Sequence, residues 1–102
     1  MKIFGSLFSP FVRKVYLVAA EKGVAIEAGV GGPGNYTPEF LAVSPFKKMP
    51  AMVDGDFSLA DSTAICAYLD AKYPDPAVYP ADPQQRGKVV WYEEVADTII
   101  PP

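Results

Sequence analysis

The feature that most constrains the fold of this 102-residue chain is Ser9-Pro10-Phe11-Val12-Arg13-Lys14, placed directly after a short apolar run. Lys2-Ile3-Phe4 predicts a strand over 2–5. Ser9 is a good helix N-cap, and Pro10 suits the first helical position because it has no N–H to leave unpaired there. Val12, Val15, Tyr16 and Ala19 recur at i, i+3, i+4 and i+7, which predicts a helix over 10–22 with Gly23 as its stop. Val24 and Ile26 mark a weaker strand over 24–30. Strand, helix and strand in so few residues make a compact βαβ unit. A hydroxyl at such a helix start sits where free N–H groups and the dipole favour negative charge: a thiolate, a carboxylate or a phosphate.

Gly29-Val30-Gly31-Gly32-Pro33-Gly34 spells GxGxxG after a strand, but it is expected to be a connecting loop rather than a phosphate cradle. It follows the second strand instead of the first, the next helix is short, and Pro33 brings no N–H. Thr37 and Pro38 start that short helix. Ala51-Met52-Val53 and Phe57-Ser58-Leu59 flank Asp54-Gly55 and predict an antiparallel hairpin. Asp61-Ser62 open a helix running to about Tyr73, with Ile65, Tyr68, Leu69 and Lys72 on one side. Residues 74–82, rich in Pro and Asp, read as an interdomain linker. Asp82-Pro83 begin a last helix whose Val89, Tyr92, Ala96 and Ile99 form an apolar stripe with no visible partner.

Composition removes several kinds of chemistry. The chain has no histidine, so it has no Ser-His-Asp triad and no His-based metal site. Its one cysteine, Cys66, excludes a CxxC pair and an intrachain disulfide, and beside Ile65 and Leu69 it reads as a buried small hydrophobe. A net charge of -3 argues against nucleic acid as a partner. No apolar run approaches the roughly 20 residues of a membrane span, and no signal peptide opens the chain, so a cytoplasmic protein is expected. An apolar share of 50% is high for so small a body and points to a face made to meet another domain or subunit.

The order βαβ–α–ββα, with a serine capping the first helix, Met49-Pro50 before the hairpin and Asp61-Ser62 at the third helix, resembles the N-terminal domain of cytosolic glutathione transferases. Ser9-Pro10-Phe11 is similar to the catalytic segment of serine-type members such as the plant tau class. Ser44-Pro45-Phe46-Lys47-Lys48-Met49-Pro50-Ala51-Met52-Val53-Asp54-Gly55 is similar to the family's Asn-Pro-Phe-Gly-Lys-Val-Pro-Ala-Leu-Val-Asp-Gly stretch. The resemblance implies an α/β thioredoxin-like domain with a four-stranded mixed sheet over residues 1–76. It implies, over 77–102, a linker and the first helix of an all-α second domain that the chain leaves incomplete.

The resemblance also implies a chemistry. Ser9 would donate a hydrogen bond to the glutathione sulfur and hold it as thiolate. Lowering a thiol by two pH units from about 8.5 needs roughly 2.7 kcal/mol. A charge-assisted hydrogen bond of about 1.5–3 kcal/mol and a helix terminus of about 0.3–1 kcal/mol supply that. Pro50 would be cis, and Met49 would pair its backbone with the ligand's cysteine as an added strand. Ser62 would meet the γ-glutamyl carboxylate, Asp61 its ammonium, and Lys48, with Lys47 beside it, the glycine carboxylate. Glutathione is a co-substrate here, and neither a cofactor nor a metal is expected.

The sequence departs from the family pattern in three places. Asp61 stands where Glu is commoner, Met49 replaces Val or Ile, and the glycine-rich loop carries no cation. Each site residue also has a plainer reading: Ser9 and Ser62 as helix caps, Lys47 and Lys48 as solvated loop charges, Arg13 as an exposed helix residue, Trp91 and Tyr92 as packing residues. Ser6 is the nearest rival to Ser9 but lies on the strand-to-helix turn.

Two functions follow: a transferase that adds the thiolate to an electrophilic small molecule, or a non-catalytic relative acting as a binding or protein-interaction module. A thiol-disulfide oxidoreductase does not fit Ser9 and Val12, where it would need cysteines. The intact protein is expected to be a homodimer. The 102 residues alone are expected to bind glutathione with weak or absent transferase activity.

Overall fold

The structure, a computed structural model, describes residues 1–32 and 34–98. The elements are β1 (Lys2–Phe4), α1 (Pro10–Glu21), β2 (Glu27–Ala28), α2 (Pro38–Val43), β3 (Ala51–Asp54), β4 (Phe57–Ala60), α3 (Ser62–Lys72) and α4 (Pro83–Thr98). The sheet order is β2-β1-β3-β4, with β1 and β2 parallel and the other two pairs antiparallel. This is the four-stranded mixed sheet of the thioredoxin-like fold. The second strand is shorter than its pattern suggests. Only Glu27 and Ala28 complete a ladder with β1, while Val24 and Ile26 are half-buried and pack on the core beside it.

Side chains alternate across the strands and divide the core in two. On one face Ile3 and Met52 meet Val12, Val15 and Ala19 of α1 and Ile65, Cys66 and Leu69 of α3. On the other, Phe4 and Ala51 meet Phe40 of α2, with the Phe4 and Phe40 rings 6.1 Å apart. Ile65, Leu69 and Cys66 of α3 are buried as expected, with Asp70 beside them. Tyr68 is half-buried against the core, and its hydroxyl and the Lys72 ammonium reach Asp54 of the hairpin.

The glycine-rich loop is packed rather than cradling. Gly31 has φ +140°, and a Cβ there would meet Thr37 Oγ1 at 2.3 Å and Phe40 Cβ at 2.7 Å. The Thr37 hydroxyl, which also caps α2, donates to Val30 O at 2.7 Å and closes the loop onto the helix. Pro33 lies outside the described residues.

The Pro- and Asp-rich stretch is tied down. Lys22, whose side chain is 0% exposed, pairs with Asp70 Oδ1 at 2.7 Å and also donates to the Pro76 carbonyl. Asp70 in turn accepts from Val78 N–H at 2.8 Å and Tyr79 N–H at 3.4 Å, and the Tyr79 ring joins the core.

α4 then docks mainly through charge. Lys14 of α1 meets Glu93 at 2.9 Å and Asp97 at 2.6 Å, Thr63 donates to Glu94 at 2.5 Å, and Tyr79 donates to Glu93. Val90 adds an apolar contact. The stripe expected from the sequence points away: Val89, Tyr92 and Ala96 are exposed, and Ile99 lies outside the described residues. Trp91 and Tyr92, expected as packing residues, are 60% and 64% exposed and touch each other edge to face. Helical spacing alone does not say which face a neighbour will cover, and here a lysine one helix away chose the acidic one.

Candidate functional site

α1 begins as its sequence dictates. Ser9 has extended backbone angles, Pro10 follows, and Ser9 Oγ accepts from Val12 N–H at a long 3.5 Å. Accepting that bond uses a lone pair of the oxygen, so the O–H itself keeps its capacity to donate. Ser9 is 8% exposed. Its rival Ser6 is exposed and accepts from Phe8 N–H at 3.1 Å, and it lines neither of the cavities described below. Arg13 is exposed, its guanidinium donating to the Phe8 carbonyl. Gly5 allows this turn to sit close to the next segment. It has φ +135°, and a Cβ there would meet Val12 Cγ2 at 2.7 Å and Met49 Cβ at 3.1 Å.

The segment after α2 comes next. The Met49-Pro50 bond is cis, as the resemblance implies. Pro50 is buried, Met49 half-buried, and Lys47 and Lys48 are exposed. Lys47 lies over the Tyr36 ring, 5.2 Å from its centre, and neither lysine has an ion-pair partner among the described residues. The Asp61 N–H donates to Pro50 O at 3.3 Å, which joins this segment to the start of α3.

At that start the structure corrects one sequence reading. Asp61, not Ser62, is the N-cap: its Oδ2 accepts from Ala64 N–H at 3.0 Å, and Ser62 is the first helical residue. Asp61 carries φ +84°, a region that a non-glycine residue occupies at a cost of about 1–3 kcal/mol and that tends to collect at functional sites. Ser62 is 4% exposed at a helix N-terminus, where backbone N–H groups favour an anion.

These pieces enclose two adjoining cavities. One, of about 520 Å³, is lined by Lys48, Met49, Pro50, Asp61 and Ser62, with Phe11, Phe46 and the α4 residues Glu94 and Asp97. The other, of about 540 Å³, is lined by Ser9 with Phe8, Pro10, Phe11, Lys47, Lys48 and Met49. Phe11, Lys48 and Met49 belong to both, so the six residues singled out from the sequence line two neighbouring clefts with a shared wall. Among the described residues no His, Cys, Asp or Glu cluster suits a metal ion, and no helix is long and apolar enough to cross a membrane.

Charge is divided across the first cavity, with Lys48 on one element and Asp61 and Glu94 on others. Asp97 shares the Lys14 ammonium with Glu93. Burial opposes the charge on Lys14, yet its bonds to Asp97 and Glu93 outweigh that and hold its ammonium above the ordinary range. Burial likewise pushes the Cys66 thiol up to about 12, so this cysteine is no nucleophile.

Sequence reasoning missed Gly5, Ser44, Lys14 and the two α4 carboxylates. Ser44 lines the first cavity, and in the sequence it stands only as the first residue of a longer motif. The rest act across contacts between distant segments, and no local pattern announces those.

Residues 3–77 match the family model described as the glutathione S-transferase N-terminal domain. The chain belongs to the glutathione transferase family. It is 40% identical over 98 residues to glutathione S-transferase theta-3 of Mus musculus, covering 90% of this chain and 40% of that protein. It is 35% identical over 88 residues to the stringent starvation protein A homolog of Pasteurella multocida, covering 86% and 42%. Among solved structures, the theta class glutathione S-transferase of Xanthomonas axonopodis pv. citri with glutathione bound superposes with a TM-score of 0.80 at 38% identity, covering 97% of this chain and 49% of that one. The chain therefore spans less than half the length of these glutathione transferase relatives.

Proposed function

We propose that this chain is the glutathione-binding part of a glutathione transferase, and that Ser9 stabilises the glutathione thiolate for addition to an electrophilic small molecule. The observation that carries the reading is the convergence of Ser9, Lys48, Met49, Pro50, Asp61 and Ser62 on two cavities that share Phe11, Lys48 and Met49. Glutathione is a zwitterion with a carboxylate at each end, and the first cavity offers a cation, acidic groups and a helix N-terminus on different walls. Lys48 takes the glycine carboxylate, Ser62 the γ-glutamyl carboxylate and Asp61 the ammonium. The backbone of Met49 pairs with the ligand as an added strand.

The thiol loses its proton to water, and no general base is required. Ser9 donates its hydroxyl hydrogen to the thiolate, and the N-terminus of α1 adds its dipole. Residues 1–76 form the glutathione-binding domain in this reading, and 77–102 lead into an all-α domain that completes the electrophile pocket. The whole protein acts as a cytoplasmic homodimer in detoxification. Phe8 and Phe46, 94% and 85% exposed beside the cavities, suit contact with a further domain or subunit.

A second reading is a non-catalytic binding or protein-interaction module on the same fold. It is favoured by the 35% identity to a relative named as a stringent starvation protein A homolog rather than as a transferase. Titrating the isotopically labelled chain with glutathione tests the site: saturable shifts at Ser9, Met49, Asp61 and Ser62 support glutathione binding, and no shifts at millimolar glutathione support a protein-interaction module. A bound-thiolate signal that weakens in Ser9→Ala then separates the transferase from a non-catalytic binder.

A further inference from the structure

We propose that Ser44 is a positioning residue for the Lys48–Met49 backbone, and through it for glutathione; this rests on the function proposed above. Ser44 is 2% exposed, yet its hydroxyl does not serve the helix that it ends. The backbone N–H of Ser44 closes α2 by donating to Phe40 O at 2.8 Å. The side chain is committed to one residue: Ser44 Oγ donates to Lys48 O at 2.7 Å and accepts from Lys48 N–H at 3.1 Å. A third bond, from Lys47 N–H to Ser44 O at 3.0 Å, completes the ring, and Lys47 takes φ +62° to fit it. The loop over 44–48 is thereby closed by a single buried hydroxyl that saturates both polar groups of the Lys48 backbone.

Lys48 is exposed, carries no ion pair among the described residues and lines both cavities. No side-chain hydrogen bond of Lys48 is found among the described residues either, so the fold fixes only the backbone point from which its side chain reaches out. The same bonds fix where the chain enters Met49, whose N–H and C=O the ligand uses as a strand. Removing the hydroxyl leaves the Lys48 N–H and C=O without their buried partner, and the loop opens to find water. Ligand binding then has to re-form the loop, so the effect falls on affinity more than on the thiolate chemistry at Ser9.

The test compares the wild-type chain with Ser44→Ala and Ser44→Asn; Asn both donates and accepts. Ser44→Ala is expected to raise the glutathione Kd about tenfold. It should speed hydrogen exchange at the Lys48 amide while leaving amides of α3 unchanged, and the thiol pKa of bound glutathione should stay at its wild-type value. Ser44→Asn is expected to recover part of the affinity. Unchanged affinity in Ser44→Ala overturns the positioning role while leaving the glutathione site standing. So does faster exchange spread evenly over α3 and the core, which marks a general loss of stability. Absence of binding by the wild type overturns the glutathione reading and this role together.

Discussion

Lys22 Nζ lies 2.7 Å from Asp70 Oδ1, and this contact ties the end of α1 to α3 and to the chain segment leading into α4. Asp70 spreads its charge over two further N–H groups, those of Val78 and Tyr79. A buried pair is seldom a gain over a well-packed apolar one, but removing one partner leaves a charge stranded. Here the pair also anchors the segment that leads into α4, and α4 carries one wall of the first cavity.

Lys22→Met is expected to destabilise the chain by about 3–5 kcal/mol, because Asp70 loses its cation in a site with little water. Thermal unfolding followed by circular dichroism checks this. An unchanged midpoint would show that the pair contributes nothing.

Acid should act through the same group. Burial pushes the Asp70 carboxyl up, but Lys22 and the two backbone N–H groups outweigh it and hold it below its ordinary value of 3.8. A depressed carboxylate contributes stability above its unfolded pKa and loses it as pH falls through the folded one. Asp54, lowered by Lys72 and Tyr68, adds to the trend. Midpoints measured from about pH 5 down to about pH 2 should fall, and the slope should be shallower in Asp70→Asn.

Lys14 is expected to govern how firmly α4 is held. Lys14→Met removes a cation shared by Glu93 and Asp97 and should cost about 1.5–3 kcal/mol. Hydrogen exchange should quicken across 83–98 and stay slow in β1 and β3. The ammonium is held above its ordinary range, so its contribution is complete at neutral pH and fades only as pH climbs through the raised value.

Cys66 should be silent toward thiol reagents. It is 0% exposed and its thiol is pushed up to about 12 by burial. With a disulfide reagent at neutral pH, labelling is expected only at the rate of unfolding, and to become immediate in denaturant. Fast labelling of the native chain would contradict the packing of α3 against α1.

The parts legible in the sequence were those written in local code. Ser9-Pro10 and Thr37-Pro38 marked two helix starts, and the period of Val12, Val15 and Ala19 gave the buried side of α1. The apolar runs about Asp54-Gly55 marked the hairpin, and the six candidate residues all lie in short motifs. What escaped was set by tertiary contact. The Asp61-Ser62 pair does not reveal which of the two caps α3, because that depends on the hairpin delivering Asp61 at φ +84°. The stripe on α4 was misleading because Lys14, far away in sequence, draws Glu93 and Asp97 inward, and Tyr79 donates to Glu93 as well. Ser44 was invisible because its role is a loop closure rather than a pattern.

The most direct test of the central claim is the ultraviolet thiolate signal of bound glutathione, titrated with pH in the wild type and in Ser9→Ala. The account expects the bound thiol to ionise about two pH units below free thiol in the wild type, and to return most of the way in Ser9→Ala with binding retained. A bound thiol titrating identically in both proteins would contradict it, and would leave Ser9 as nothing more than the cap of α1.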